Sequence, residues 1–207
     1  MRSKRTAIGD DYSADEGLLI QRAFAGDGDA FAVMMRRYER PVYRMCYRFL
    51  PGPDAEDLTQ EIFLRAFVNR ERFDPGRAVL PWLLVIARNL CIDRTRSRRR
   101  ERYGSGDVSD IQDHLPSTEE SVATTEEIRL LAQGLKALPP SQRETVAMFH
   151  FEGLSYREMA DVLDVPVGTV MTWLHRARVS LRNLFEKFDS DGIDGRDERR
   201  INDANRK

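Results

Sequence analysis

The chain has 207 residues, 41% hydrophobic and 32% charged, which is enough apolar material for one large core or two small ones beneath a heavily charged surface. No stretch approaches the roughly 18 consecutive apolar residues of a membrane span. No apolar run follows the basic Arg2, Lys4 and Arg5, so neither an anchor nor a secretory signal is expected.

The net charge of −1 hides a segregation of signs. Six arginines (Arg94, Arg96, Arg98, Arg99, Arg100, Arg102) crowd around Glu101 alone, whereas seven acids between Asp107 and Glu127 have no Lys or Arg among them. Opposed blocks of this kind suggest a basic contact surface beside an acidic connector. Cys46 and Cys91, both in apolar helical patterns, offer neither a disulfide framework nor metal-ligand spacing. The chain is therefore expected to be cytoplasmic and unbridged, with no metal and no cofactor.

Every strong periodicity is helical, and no strand pattern appears. Leu18, Leu19, Ala23 and Phe24 open one amphipathic stretch, which Gly26-Asp27-Gly28-Asp29 breaks. Phe31, Met34, Met35, Tyr38, Val42, Met45 and Phe49 continue a longer one, in which Pro41 is expected to bend or divide the helix because proline removes a donor and clashes with the preceding turn. After Pro51-Gly52-Pro53 a further helix begins near Asp54, a candidate N-cap, and carries Leu58, Ile62, Phe63, Ala66 and Phe67 on one face. Its Asp57, Gln60, Glu61 and Leu64 share another face by i, i+3, i+4 and i+7 spacing. Glu56 and Asp57, in the first turn, either simply complement the helix dipole, or the Asp57, Gln60, Glu61 and Leu64 face docks on a basic helical partner.

Phe73-Asp74-Pro75-Gly76 reads as a loop with a turn. Pro81 suits a first helical position, and behind it Trp82, Leu83, Val85, Ile86, Leu90 and Ile92 form a stripe that runs into the arginine block. Trp82 is read as a core residue rather than a base platform. Arginines this dense repel one another, and a polyanion is their simplest partner.

Residues 104–123 are rich in Ser, Asp and Glu without apolar periodicity, the composition of a flexible linker. Ile128, Leu131, Leu135 and Leu138 then mark a helix ended by Pro139-Pro140, and Val146, Met148, Phe149 and Phe151 mark the next. Ser155 with Glu158 matches a capping box, so a helix is expected from Ser155 with Met159, Ala160 and Leu163 inward. Asp164-Val165-Pro166 interrupts it, and Val167, Val170, Leu174, Ala177, Leu181 and Leu184 recur at steps of three and four.

Two helices separated by so short a break have the layout of a helix-turn-helix. At about 100° per residue, Thr172 lies opposite the apolar stripe with Thr169, His175 and Arg176 beside it, while Arg178 and Arg182 sit nearer the flank. The pattern alone fits either a DNA-reading helix or an ordinary hairpin with a solvated basic face. The expected fold is all-α: two small helical domains, 14–103 and 124–188, joined by the acidic linker, the second containing the helix-turn-helix. The polar tail 189–207 is expected to be disordered.

These blocks resemble, in order, those of an extracytoplasmic-function (ECF) sigma factor of the bacterial sigma-70 family, over about residues 16–186. Gly26-Asp27-Gly28-Asp29-Ala30-Phe31 is similar to the family's opening G-D-x-x-A-F. The segment Asp54 to Phe67 is similar to its A-E-D-L-T-Q-E-x-F signature. Phe73 to Gly76, Trp82-Leu83, Ile86 to Leu90, Asp93 and the arginines resemble its promoter-melting segment. Leu138-Pro139, Gln142-Arg143 and the block from Gly153 to Arg178 resemble its C-terminal domain.

The resemblance implies that Asp57, Gln60, Glu61 and Leu64 bind the clamp helices of the largest subunit of core RNA polymerase, and that the C-terminal domain meets the flap of the second-largest. It implies −10 contacts from Phe73, Arg77, Arg88, Asn89, Asp93, Arg96, Arg98 and Arg99, with a flipped nontemplate base captured by the 73–81 loop and Asn89. It implies −35 contacts from Ser155, Tyr156, Arg157, Thr169, Thr172, His175, Arg176 and Arg178. It also implies an anti-sigma factor partner and no small-molecule substrate. One departure stands out: Gly168 to Trp173 carries Met171 and Trp173 where the family commonly has basic residues.

A stand-alone helix-turn-helix regulator would need only Ser155 to Arg182 and would leave Asp54 to Arg100 unexplained. An enzyme is not expected, because no P-loop, paired-Cys site or H-E-x-x-H is present and His114, His150 and His175 are scattered.

Overall fold

The structure, a computed structural model, describes residues 14–103 and 126–204, with side chains described over 15–101 and 128–188. The 104–123 linker and His114 lie outside the described residues. Within them the chain is helical throughout, with no strand: α1 (Ala14–Phe24), α2 (Gly28–Phe49), α3 (Pro53–Val68), a single 3₁₀ turn (Arg70–Arg72), α4 (Val79–Tyr103), α5 (Glu126–Ala137), α6 (Pro140–His150), α7 (Tyr156–Leu163) and α8 (Val167–Ala204). Among the described residues no helix is long and apolar enough to cross a membrane.

Contacts divide the chain into two units, and the division cuts through the 124–188 segment read as one domain. One unit contains α1 to α4 and Ala147–Val170; the other contains α5, the chain up to Val146, and α8 from Met171.

In the first unit α2 packs against α1, α3 and α4, and α3 packs against α4. Met34, Val42, Met45, Leu58, Ile62, Phe63, Leu83 and Leu84 are fully buried among them. The break between α1 and α2 is an N-cap. Asp27 accepts the Ala30 N–H at 3.0 Å and the Arg22 guanidinium at 2.6 and 2.9 Å. The Ala30 hydrogen bond first, and then the Arg22 contact, hold its carboxyl below the ordinary carboxylate value.

Pro41 does not divide α2, which runs unbroken through it. An interior proline costs about 3 kcal/mol. Burial of Tyr38, Val42 and Met45 around it, at about 1.5–3 kcal/mol for each large apolar side chain, outweighs that cost.

Asp54 is not the N-cap of α3. The cap is Gly52, whose φ of 82° suits glycine, and Pro53 supplies the first helical residue, where the missing N–H is no loss. Asp54 instead pairs with Arg98 of α4. Pro81 falls within the first turn of α4 as its third residue, two positions later than the first helical position expected of it.

Cys46 and Cys91 are free and buried side by side. The hydrogen bond from Cys91 lowers the Cys46 thiol pKa by more than burial raises it. The same unit holds α7 against α4, and Arg44 of α2 forms a two-pronged ion pair at 2.8 and 3.0 Å with Glu152, whose side chain is 2% exposed.

In the second unit the inward positions of α5 are Leu130 and Gly134, and Leu138 just past its end is buried as the stripe requires, whereas Ile128 and Leu131 are 45% and 40% exposed, contrary to that stripe. The reason is Gly134: a Cβ there would stand 2.7 and 2.8 Å from methyl carbons of Leu184 and Leu181. The glycine lets α8 approach α5 along that line and rotates Ile128 and Leu131 outward. Arg143 closes the end of α5, its guanidinium donating to the carbonyls of Leu135, Lys136 and Leu138 at 2.8–2.9 Å, groups a helix end leaves unpaired. Helix α8 continues to Ala204, beyond the Phe188 end of its apolar stripe and into the segment expected to be disordered. Extending an existing helix is far cheaper than nucleating one.

Candidate nucleic-acid interface

Three surfaces carry the residues singled out in the sequence. The first is the outer face of α3. Asp57 and Gln60 are exposed, and Leu64 is 66% exposed. Val68, one turn further at i+4, is 73% exposed and extends the apolar end of this face; its spacing from Leu64 was the available signal. Glu61 is half-buried and already engaged, accepting from Arg65 at 2.7 Å and from Arg94 at 2.9 Å. The face therefore presents one free carboxylate, an amide and two apolar side chains, with Glu61 held in place beneath arginines.

The arginine block is less repulsive than its sequence suggests, because α3 neutralises part of it: Arg94 pairs with Glu61 and Arg98 with Asp54. Arg96 and Arg100 remain exposed, and Arg99 is half-buried.

The second surface is a cavity of about 380 Å³ where the end of α3 meets α4. Asn89 and Asp93 reach it from α4, together with the apolar Trp82, Ile86 and Leu90; Arg65, Asn69 and Arg72 reach it from the other side. These last three were not picked out from sequence; Asn69 caps α3 four residues after Arg65, and Arg72 follows in the 3₁₀ turn. With two guanidiniums against one carboxylate the rim is net positive, and two amides add both donors and acceptors.

Phe73 does not face this space directly. It is 7% exposed and forms an aromatic triangle with Phe24 and Trp82, at centroid distances of 5.2, 5.6 and 5.3 Å. The triangle fixes Trp82 as one wall of the cavity. Gly76 N–H donates to the Asp74 carboxylate at 2.9 Å, closing the turn that leads into α4. Arg77 is exposed, 3.7 Å from Asp74 and 3.8 Å from Asp161, and Arg88 is half-buried outside the cavity lining.

The third surface is the helix-turn-helix. Both halves of the capping box form: Ser155 Oγ accepts the Glu158 N–H at 3.3 Å, and the Glu158 carboxylate accepts the Ser155 N–H at 2.7 Å. Met159, Ala160, Val162 and Leu163 are buried behind it. The turn passes through Asp164 in the left-handed region, with φ of 55°. The N–H groups of Thr169 and Val170 then bond to the Pro166 carbonyl as α8 begins.

On α8, Val170, Leu174 and Ala177 are buried, as the stripe requires, while Val167 is 37% exposed and lies at its open end. Thr172, His175 and Arg176 are exposed, and Thr169 and Arg178 half-buried. Arg157 is exposed on α7; Tyr156 is half-buried and stacks on Phe149 at 5.6 Å. Trp173 is half-buried, so it adds to the packing, whereas Met171 points out with 52% of its surface exposed.

The family model described as Sigma-70 region 2 matches residues 34–101, and that described as Sigma-70, region 4 matches residues 128–181. The chain is 36% identical over 173 residues to the ECF RNA polymerase sigma factor SigW of Bacillus subtilis (strain 168), covering 79% of this chain and 92% of that protein. It is 31% identical over 176 residues to the ECF RNA polymerase sigma-E factor of Escherichia coli (strain K12), covering 80% and 92%. Among solved structures it is similar to CnrH in complex with the cytosolic domain of CnrY, with a TM-score of 0.58 and 26% identity over 83% of this chain and 97% of that one.

Proposed function

We infer, from the premise that this chain belongs to the extracytoplasmic-function RNA polymerase sigma factors, how its surfaces divide the work of transcription initiation. Residues 14–103 serve as the polymerase-binding and −10-melting domain, 104–123 as an acidic linker, and 124–188 as the −35-reading domain. The exposed face of α3, with Asp57, Gln60, Leu64 and the Val68 that extends it, docks on the clamp helices of core polymerase. Glu61 helps hold that face against α4.

The cavity beside Asn89 and Asp93 receives a base flipped out of the nontemplate strand. Unstacking costs on the order of a few kcal/mol. Amide and carboxylate contacts to the base edge, and Trp82 at its wall, offset that cost. Arg65 and Arg72 at the rim, with the exposed Arg77, Arg96 and Arg100, attract the phosphates. Arg98 takes a positioning role through Asp54, and Phe73 acts by bracing Trp82.

Helix α8 enters the major groove and reads the −35 element with Thr169, Thr172, His175 and Arg176, while Ser155, Arg157 and Arg178 hold the backbone. The chain works in the cytoplasm, and bond formation belongs to the polymerase. The pairing of the similar CnrH with CnrY supports a protein regulator that covers these surfaces when the factor is idle.

The observation that carries this reading is the cavity, which gathers polar groups from two segments far apart in sequence next to an aromatic wall. Run-off transcription with purified core polymerase on genomic fragments tests it. Discrete transcripts are expected only when the chain is added, and Asn89→Ala with Asp93→Ala should abolish them while leaving core binding intact. Retention of duplex DNA by the chain alone, without core binding or transcripts, would overturn it in favour of a stand-alone regulator.

A further inference from the structure

Val170 and Leu174 on α8 are 0% and 1% exposed, yet Met171 between them is 52% exposed. A single exposed apolar residue is ordinary on a protein surface. Its place is what matters here. At about 100° per residue Met171 lies roughly 40° from His175 around α8. It is a strongly exposed apolar side chain at the edge of the face that carries His175, Thr172 and Arg176, about 40°, 100° and 140° round from it, on the early turns of the second helix of the helix-turn-helix, the part that meets base edges in this motif. The neighbouring Gly168 leaves the surface open, since a Cβ there would meet nothing within 4 Å.

The chemistry of the side chain narrows its target. A thioether has no donor and is only a weak acceptor, so the hydrogen-bonding pattern of the major groove is closed to it. The one apolar feature that groove offers is the C5-methyl of thymine. The unbranched methionine side chain adapts to reach such a group without imposing one rotamer.

We propose that Met171 is a specificity-determining contact of the −35 interface, packing on the C5-methyl of a thymine and so selecting an A·T pair in one orientation. The proposal rests on the reading of α8 as the helix that enters DNA. Thr172, His175 and Arg176, all on one side of it around α8, supply the hydrogen bonds.

The test first selects promoters from a duplex library randomised over the upstream element, using the complete chain bound to core polymerase. Each thymidine of the selected element is then replaced by deoxyuridine, which removes only the methyl, and competition binding is measured with wild-type and Met171→Ala holoenzymes. Burying one methyl predicts that one position loses about fourfold with the wild type, which is ~0.8 kcal/mol at 1.4 kcal/mol per tenfold. With Met171→Ala the loss at that position should vanish, while other thymine positions keep theirs.

A selected element without thymine, deoxyuridine effects that are absent, or effects equal in both proteins would overturn the proposal and leave the −35 reading standing. A Met171→Ala protein that lost core binding instead would place Met171 in a protein contact and overturn it too. A selection yielding no upstream element at all would overturn the −35 reading, and this inference with it.

Discussion

Ser155 is where stability and recognition can be separated by substitution. Its Oγ accepts the Glu158 N–H and so caps α7, but a hydroxyl that accepts can still donate, and its hydrogen is available to a DNA phosphate. Replacing an N-cap serine by alanine costs about 1 kcal/mol, and a hydrogen bond to a charged group is worth about 1.5–3 kcal/mol. Ser155→Ala should therefore lose both, whereas Ser155→Thr should largely keep both.

The informative variant is Ser155→Asp. Aspartate is as good a cap as serine and retains the acceptor for Glu158 N–H, but it has no proton to donate and carries like charge toward phosphate. Native-state hydrogen exchange of the α7 amides should show Ser155→Asp as protected as wild type and Ser155→Ala less protected by ~1 kcal/mol. Fluorescence anisotropy of the holoenzyme on promoter duplex should show Ser155→Asp weakened by about tenfold or more, with the deficit shrinking as salt rises and screens the repulsion. Equal affinity of Ser155→Asp and wild type, at equal protection of α7, would refute the phosphate contact and leave Ser155 as a cap alone.

Two further outcomes follow from the first unit. Leu64→Ala should change unfolding stability by no more than about 0.5 kcal/mol, as expected for a surface site. The same change should weaken core polymerase binding about tenfold, the lower end of what burying a leucine contributes; core binding that stayed at the wild-type level would remove Leu64 from the interface. Asp27 governs an acid-side dependence. Its folded pKa is lowered by the Ala30 hydrogen bond and by Arg22, so its contribution is present above the unfolded value near 3.9 and is lost as pH falls through the lowered folded value. Urea titrations from neutral to strongly acidic pH should show wild type losing more stability over that window than Asp27→Asn, which keeps the cap oxygen but cannot titrate. Parallel curves would show that the ionised Asp27 adds nothing.

Much of the architecture is written in local pattern. The stop at Gly26 to Gly28, the Ser155–Glu158 capping box, the turn at Asp164 to Pro166 and the buried Val170, Leu174 and Ala177 of α8 each depend on residues one to four positions apart. The same range of interaction that forms a helix also fixes them. So does the exposed line of Asp57, Gln60 and Leu64, which requires only that α3 be a helix with its other face buried.

What the sequence left open depends on partners distant in the chain. Asp54 reads as a cap until α4 places Arg98 against it, and Gly52-Pro53 takes over the start of the helix. Glu61 reads as a free acid until Arg94 arrives from the same neighbour. The arginine block reads as self-repelling until those two carboxylates meet it. Ile128 and Leu131 read as core until the approach allowed by Gly134 turns α5 and buries Leu130 instead.

The cavity is the furthest from any local pattern: Arg65, Asn69 and Arg72 meet Asn89 and Asp93 only because α3 and α4 pack. Helical periodicity says which face of each helix is apolar, but it carries no information about which two faces will be pressed together. That choice belongs to side-chain volume and charge across the interface. It decides which polar groups are consumed in holding the fold, as Asp54, Glu61, Arg94 and Arg98 are, and which remain, as Asn89 and Asp93 do, to line the cavity.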